Sequence, residues 1–310
     1  MATEVERVVG PAPRKRVLTL RRRGVTTIGL LSPPVFWLVV FFLLPVLLIA
    51  LYSVDIFSIY RVVGTYDVSA FTLDAWKDFL DGGIYLDKFW TSVWMAAVVS
   101  VGAVVIAYPI AYFLALVATK RKYMLLLVIL SPFLVSYFLR VLAWKVILGD
   151  QGVINTFAYW TGIRPDGDPI PQLLYSRFSV MLVLAYVWIP FVALPIFVAL
   201  ENLDRRLLEA SSDLGASRWQ TFARVTLPLS IPGVIAAFIF VFIPTIGEYF
   251  TPLLIGGTTG TMFGNVIADQ FGQSQNWLNG SVFSFFLLVV VAVLMALFAR
   301  FLTLRRVAAT

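Results

Sequence analysis

The sequence predicts an all-α membrane protein of six transmembrane helices, with both ends of the chain on the cytoplasmic side. Three observations predict it: composition, the lengths of the apolar runs, and the distribution of basic residues. Of 310 residues, 60% are hydrophobic and 13% are charged, about half the charged fraction of an ordinary soluble domain. Crossing ~30 Å of hydrocarbon as a helix takes about 20 apolar residues. Six runs qualify: Leu30–Val54, Phe89–Ala118, Met124–Leu148, Ser179–Leu200, Ile231–Ile255 and Ser281–Leu302. Lipid offers no partner to an unpaired N–H or C=O, so each run is a helix and not an open strand. Lys and Arg number 17 in the termini and alternate loops on one side, against 5 in the loops on the other. The positive-inside rule makes the basic side cytoplasmic.

Residues 1–29 form a polar, basic tail with Pro11, Pro13 and the triplets Arg14-Lys15-Arg16 and Arg21-Arg22-Arg23. Such a tail reads as a topology anchor near anionic lipid, with no role for nucleic acid. The first span is longer than the apolar region of a secretory signal and is expected to stay in the mature chain. Residues 30–304 are expected to form one membrane domain, followed by a short cytoplasmic tail at 305–310. The loop 55–88 carries six Asp with Phe71, Trp76 and Phe79, and is expected to hold a short amphipathic helix on the outer face. Residues 152–162 read the same way from Val153, Ile154, Phe157 and Trp160. Pro45, Pro109, Pro132, Pro190, Pro195 and Pro244 fall within the spans; each removes a backbone donor and bends its helix.

Residue types exclude several chemistries. Cysteine and histidine are both absent, so disulfides, thiolate and imidazole metal sites, Ser-His nucleophiles and histidine proton relays are ruled out. No Lys follows a Gly, so the chain has no G-x-x-x-x-G-K-[ST] phosphate loop. The chain is expected to be non-catalytic with no cofactor of its own, and if transport is ATP-driven another subunit must bring the nucleotide site.

The loop 201–230, between the fourth and fifth spans, is the most informative segment. Asp204 is placed to N-cap a short helix, and Gly215 supplies the left-handed residue that ends it. Ser217 and Gln220 have capping-box spacing, so a second helix begins within two residues of the first one's end. Two short helices meeting at a glycine elbow are stiff enough to transmit a push. From Glu209 to Pro228 the residues resemble the cytoplasmic EAA loop of ABC importer permeases: Glu-Ala-Ala, three residues, Gly, nine residues, then Ile-x-Leu-Pro. Glu209, Ala210, Gly215, Leu227 and Pro228 fall in register, while Ser211 replaces the third Ala and Val225 the Ile. Five identities at fixed offsets occur by chance roughly once in a million starting positions.

The chain from about residue 31 to 304 is also similar to the permease subunit of bacterial spermidine/putrescine importers, of the B or H type. The residues carrying this are Tyr108-Pro109-Ile110-Ala111, Leu139-Arg140-Val141, Gly152-Val153-Ile154-Asn155, Ile243 through Glu248, and Gly264-Asn265-Val266-Ile267. The resemblance implies a type I ABC importer permease fold in a bacterial cytoplasmic (inner) membrane. It implies as partners a pair of ATPase subunits holding ATP and Mg, a second related permease, an extracytoplasmic solute-binding protein, and lipid. ATPase coupling would fall to Glu209, Ala210, Ser211, Asp213, Gly215, Leu227 and Pro228.

A polyamine path needs carboxylates for charge and aromatic faces for the methylene-ammonium chain. Glu248 and Tyr249 in the fifth span, with Tyr186 and Trp188 in the fourth, are the candidates; the latter two lie on different helix faces. An acid within a membrane helix is a functional candidate by default. Arg140, at a similar depth in the third span, is placed to form an intramembrane ion pair with Glu248, and both roles for that acid stay open. Related importers for an anion, chelated iron or another organic cation remain alternatives, as does a self-sufficient secondary transporter, which would have no use for the stiff elbow.

Overall fold

The computed structural model describes residues 30–56, 71–118, 120–164 and 166–307. The two terminal tails assigned above, apart from 305–307, and Ser69 in the first outer loop lie outside these. The chain separates into two compact units, one ending at Leu48 and one beginning at Ile49. The first unit holds most of helix α1, Leu30–Tyr52. Within it, Val39–Leu43 widens to a π-helical turn, just where the ring of Pro45 would otherwise meet the carbonyl of Phe41.

The second unit holds the remaining helices: α2 Asp74–Asp81, α3 Ile84–Val117, α4 Lys122–Leu134, α5 Tyr137–Leu148, α6 Val153–Trp160 and α7 Arg177–Glu201. Next come α8 Arg205–Asp213, α9 Arg218–Ile246, α10 Phe250–Ile255, α11 Phe263–Phe271 and α12 Trp277–Val307. Among the described residues there is no strand. Among the described residues five helices are long and apolar enough to cross a membrane, and a sixth crossing arises if the bent pair that begins with α4 counts as one. Helices α2 and α6 stand where the amphipathic loop segments were expected.

The core is built by α3, α7 and α9. On α3, Met95, Val99, Ala103, Ala107 and Ala111 recur every fourth residue and are fully buried. Small side chains in this register let membrane helices approach closely, which matters because lipid gives no hydrophobic drive for apolar helices to associate. Interhelical polar contacts fix the register: the Tyr108 hydroxyl pairs with Ser230 Oγ at 2.8 Å, and Ser179 Oγ donates to the Ile255 carbonyl at 2.8 Å. Lys122 forms an ion pair with Glu201, which also accepts from the Tyr123 hydroxyl at 3.0 Å, tying α4 to the end of α7. A second core joins α2 to α12 through Phe79, Phe89, Phe263 and Phe283. At the start of α2, the Thr72 hydroxyl donates to Asp74 and, with Lys77, holds that carboxyl below its usual range.

Two spans differ from the sequence expectation. The third is not straight: Lys122–Leu134 and the helical stretch from Tyr137 to Trp160 meet at 85°. Ser131–Leu134 tightens to a 3-10 turn around Pro132, and Val135 and Ser136 are extended. The fifth span begins earlier, at Arg218, and its helix stops at Ile246 instead of Ile255. Pro252, whose ring would meet the Glu248 carbonyl in a continuous helix, favours a break here, and Glu248 and Asn265 satisfy the backbone groups it frees. The chain breaks at Gly247–Tyr249 and restarts as α10.

Candidate functional site

The elbow between α7 and α9 is built as its residue types require. Asp204 Oδ1 accepts from the Arg206 N–H at 3.0 Å and starts α8. Gly215 ends it at φ +78°, with nothing within 4 Å of where a Cβ would stand, so only backbone conformation demands glycine here. Ser217 and Gln220 then close a capping box: the Ser217 N–H donates to Gln220 Oε1 at 2.8 Å and the Gln220 N–H to Ser217 Oγ at 3.3 Å. Ser211 Oγ meets Thr221 Oγ1 at 2.7 Å and locks one helix to the other.

The second helix of the elbow is not a separate element. It is the first turn of α9, which runs unbroken into the membrane through a π-helical turn at Phe222–Thr226, again one turn before a proline, Pro228. Phe222 stacks on Trp219 and meets the rings of Tyr108 and Tyr112 edge-on. The elbow is thus continuous with a spanning helix and in ring contact with α3. Glu209, Ala210, Asp213 and Gly215 are exposed, Ser211 is half-buried, and Leu227 and Pro228 lie on the outer surface of α9. Leu214 and Trp219, 87% and 72% exposed, put apolar surface at the tip.

At the far end of α9, Glu248 lies in the break and not inside a helix. Its Oε1 accepts from the Phe250 and Thr251 N–H groups at 3.0 and 3.1 Å, so the carboxylate caps α10. The expected ion pair is absent: among the described residues no salt bridge joins Glu248 to Arg140. The reason is the bend in the third span, which removes the straight-helix depth match, together with the donors that α10 offers. Tyr137 stands between them, its ring 5.7 Å from the Arg140 guanidinium and its hydroxyl bonded to Thr251 Oγ1.

Arg140 is buried, and its Nε has no hydrogen-bond partner. With Trp144 and Tyr186, whose rings meet at 5.2 Å, it lines a cleft of about 370 Å³. Trp188 faces elsewhere, among Phe191 and Phe240, so the two aromatic candidates of α7 do not share a surface. Tyr249 is half-exposed and borders two further clefts.

The structure also joins segments that the sequence reading left apart. A Cβ on Gly264 would stand 2.6 Å from the Gly247 carbonyl oxygen and 2.7 Å from that of Glu248; only glycine lets α11 abut the break. Asn265 Nδ2 donates to the Tyr249 carbonyl at 2.7 Å, satisfying a backbone group that the broken helix frees. Tyr175 and Asp269, which join Tyr249 in one of its clefts, were missed because they belong to segments distant in sequence, Tyr175 just before α7 and Asp269 on α11. The Lys122–Glu201 pair left a trace in the sequence, an acid ending one span beside the basic cluster that opens another.

Residues 104–307 match the family described as binding-protein-dependent transport system inner membrane component. The spermidine/putrescine transport system permease protein PotB of Escherichia coli (strain K12) is 33% identical over 264 residues, which cover 85% of this chain and 93% of that protein. PotB of Haemophilus influenzae is 34% identical over 264 residues, covering 85% and 90%. Among solved structures, a chain of a bacterial ABC transporter involved in the import of the acidic polysaccharide alginate matches with a TM-score of 0.70 at 16% identity. That match covers 91% of this chain and 96% of the other, and it is a likeness of fold.

Proposed function

The chain belongs to the family of binding-protein-dependent transport system inner membrane components, and on that premise we propose that this multi-pass inner-membrane permease subunit carries polyamines such as spermidine and putrescine inward. The elbow carries the mechanism. Its surface residues from Glu209 to Gly215 dock on a separate ATPase subunit, which supplies ATP and Mg, and the exposed Leu214 and Trp219 add apolar contact. Closure of an ATPase pair pushes the elbow. Because Arg218–Ile246 is one helix, the push travels along α9 to the break at Gly247–Tyr249, where helix continuity ends and movement is easiest.

In this reading the chain performs no catalysis, both termini and the elbow face the cytoplasm, and a second related permease completes the path. A solute-binding protein delivers the polyamine from outside, in keeping with the family's description as binding-protein-dependent. The polyamine assignment is supported by the identity to the two PotB proteins over most of both chains. The test is uptake of labelled spermidine by the reconstituted complex. ATP-dependent accumulation is the expected result, and its absence with a full set of subunits would retire the polyamine reading.

One observation favours another solute. The buried Arg140 with its unpartnered Nε is the kind of group that receives an anion. An anion permease would show spermidine-independent uptake abolished by Arg140→Gln; a polyamine permease would not.

A further inference from the structure

We infer that the cleft bordered by Tyr175, Tyr249 and Asp269, at the end of α9 remote from the elbow, is a receiving site for a flexible organic cation bearing several ammonium groups. The cleft measures about 470 Å³ and is also lined by Leu253, Asn265 and Gln273. Its two tyrosines are about half-exposed, at 53% and 49%, so part of each ring is within reach of a solute.

Asp269 is exposed on α11 and, among the described residues, its carboxylate has neither a salt bridge nor a hydrogen bond. It differs in this from Glu248, whose carboxylate is committed to α10. The segment 256–280 contains no Lys or Arg, and Asp269 is its single acid. Beside Tyr175, two cations are engaged among the described residues: Arg177 Nε donates to the Thr259 carbonyl at 2.9 Å, and the Lys145 ammonium stands 5.5 Å from the Tyr175 ring. An ammonium group already uses that ring, as cation–π attraction allows.

Tyr175 is held at φ +56°. A bulky residue in this left-handed conformation is uncommon and costs free energy, and here the residue so held lines the cleft. Asn265 fixes the other ring's backbone through the bond to the Tyr249 carbonyl. Tyr249 and Ala268 also border an adjoining groove of about 480 Å³ whose other walls are almost wholly apolar, including Ile267, Leu287 and Val291. A carboxylate, two aromatic rings and an apolar groove in sequence match a chain in which ammonium groups alternate with methylenes. The ligand's identity rests on the polyamine reading above; its positive charge rests on the cleft alone.

The cleft is tested by charge-selective labelling in the complete reconstituted complex. The chain has no cysteine, so Gln273→Cys places one thiol at the cleft wall, and modification at that position is followed by mass spectrometry. The cationic reagent 2-aminoethyl methanethiosulfonate is expected to outpace the anionic 2-sulfonatoethyl reagent by roughly fivefold over their ratio on a free thiol. Adding Asp269→Asn should erase the preference and Asp269→Glu should keep it. Saturating spermidine should slow labelling, and Tyr249→Leu should weaken that protection while the charge preference survives. No preference, or one that survives Asp269→Asn, overturns the cleft as a cation site whatever the complex transports. A preference that depends on Asp269, without protection by spermidine but with protection by another organic cation, keeps the cleft and retires the polyamine reading.

Discussion

At the scale of single residues, Glu248 shows why an acid in an apolar run need not be a ligand. Two backbone donors freed by the Pro252 break are satisfied by one carboxylate oxygen, an arrangement that an uncharged acceptor can reproduce. Glu248→Gln is therefore expected to leave the thermal stability of the solubilised complex nearly unchanged. Glu248→Ala should lower it by about 0.5–2 kcal/mol, the usual worth of a lost cap. Since no salt bridge joins it to Arg140, the double variant Arg140→Gln with Glu248→Gln should show no recovery relative to the two single ones. Recovery in thermal melts would reinstate the ion pair. The acid itself was legible in the sequence, but its partner was not, because depth along an ideal helix says nothing once Pro132 turns the third span.

At the scale of elements, the elbow was legible in detail because its determinants are local. Asp204, Gly215, Ser217 and Gln220 act on backbone groups within three residues of themselves, so their spacing specifies the geometry without tertiary help. Proline breaks were not legible in the same way. Pro109, Pro190, Pro195 and Pro244 remain inside helices, whereas Pro132 and Pro252 stand at interruptions, and what separates them is whether neighbouring groups satisfy the freed backbone. Around Pro252 those groups are Glu248 and Asn265, and Gly264 makes room for them. Gly264→Ala is expected to destabilise the α10–α11 junction by about 1–3 kcal/mol, since two carbonyls flank the added methyl and neither is a flexible side-chain end. A thermal melt of the purified variant unchanged from that of the parent would refute the close approach. Gly215→Val should cost about 1–2 kcal/mol locally through its left-handed backbone without steric clash. It should open the elbow to limited proteolysis while α9 remains inserted.

For the whole molecule, the charge asymmetry and the elbow make one claim, that the α7–α9 loop and the α10–α12 loops face opposite sides of the membrane. With no native cysteine, Ser274→Cys should label with an impermeant thiol reagent in intact cells, and Ser212→Cys only after permeabilisation; both positions are exposed. Labelling of Ser212→Cys from outside would reverse the orientation. The central claim is that a push on the elbow drives solute movement through α9, and coupling tests it most directly. ATP hydrolysis and labelled spermidine uptake should be measured side by side in the reconstituted complex, with the parent chain and with Glu209→Lys. Uptake by Glu209→Lys is expected to fall at least about tenfold, the equivalent of ~1.4 kcal/mol of docking free energy, while the chain inserts and the ATPase alone stays active. Parental uptake by Glu209→Lys, with parental dependence on ATP, would show that the elbow only connects two helices and would contradict the account.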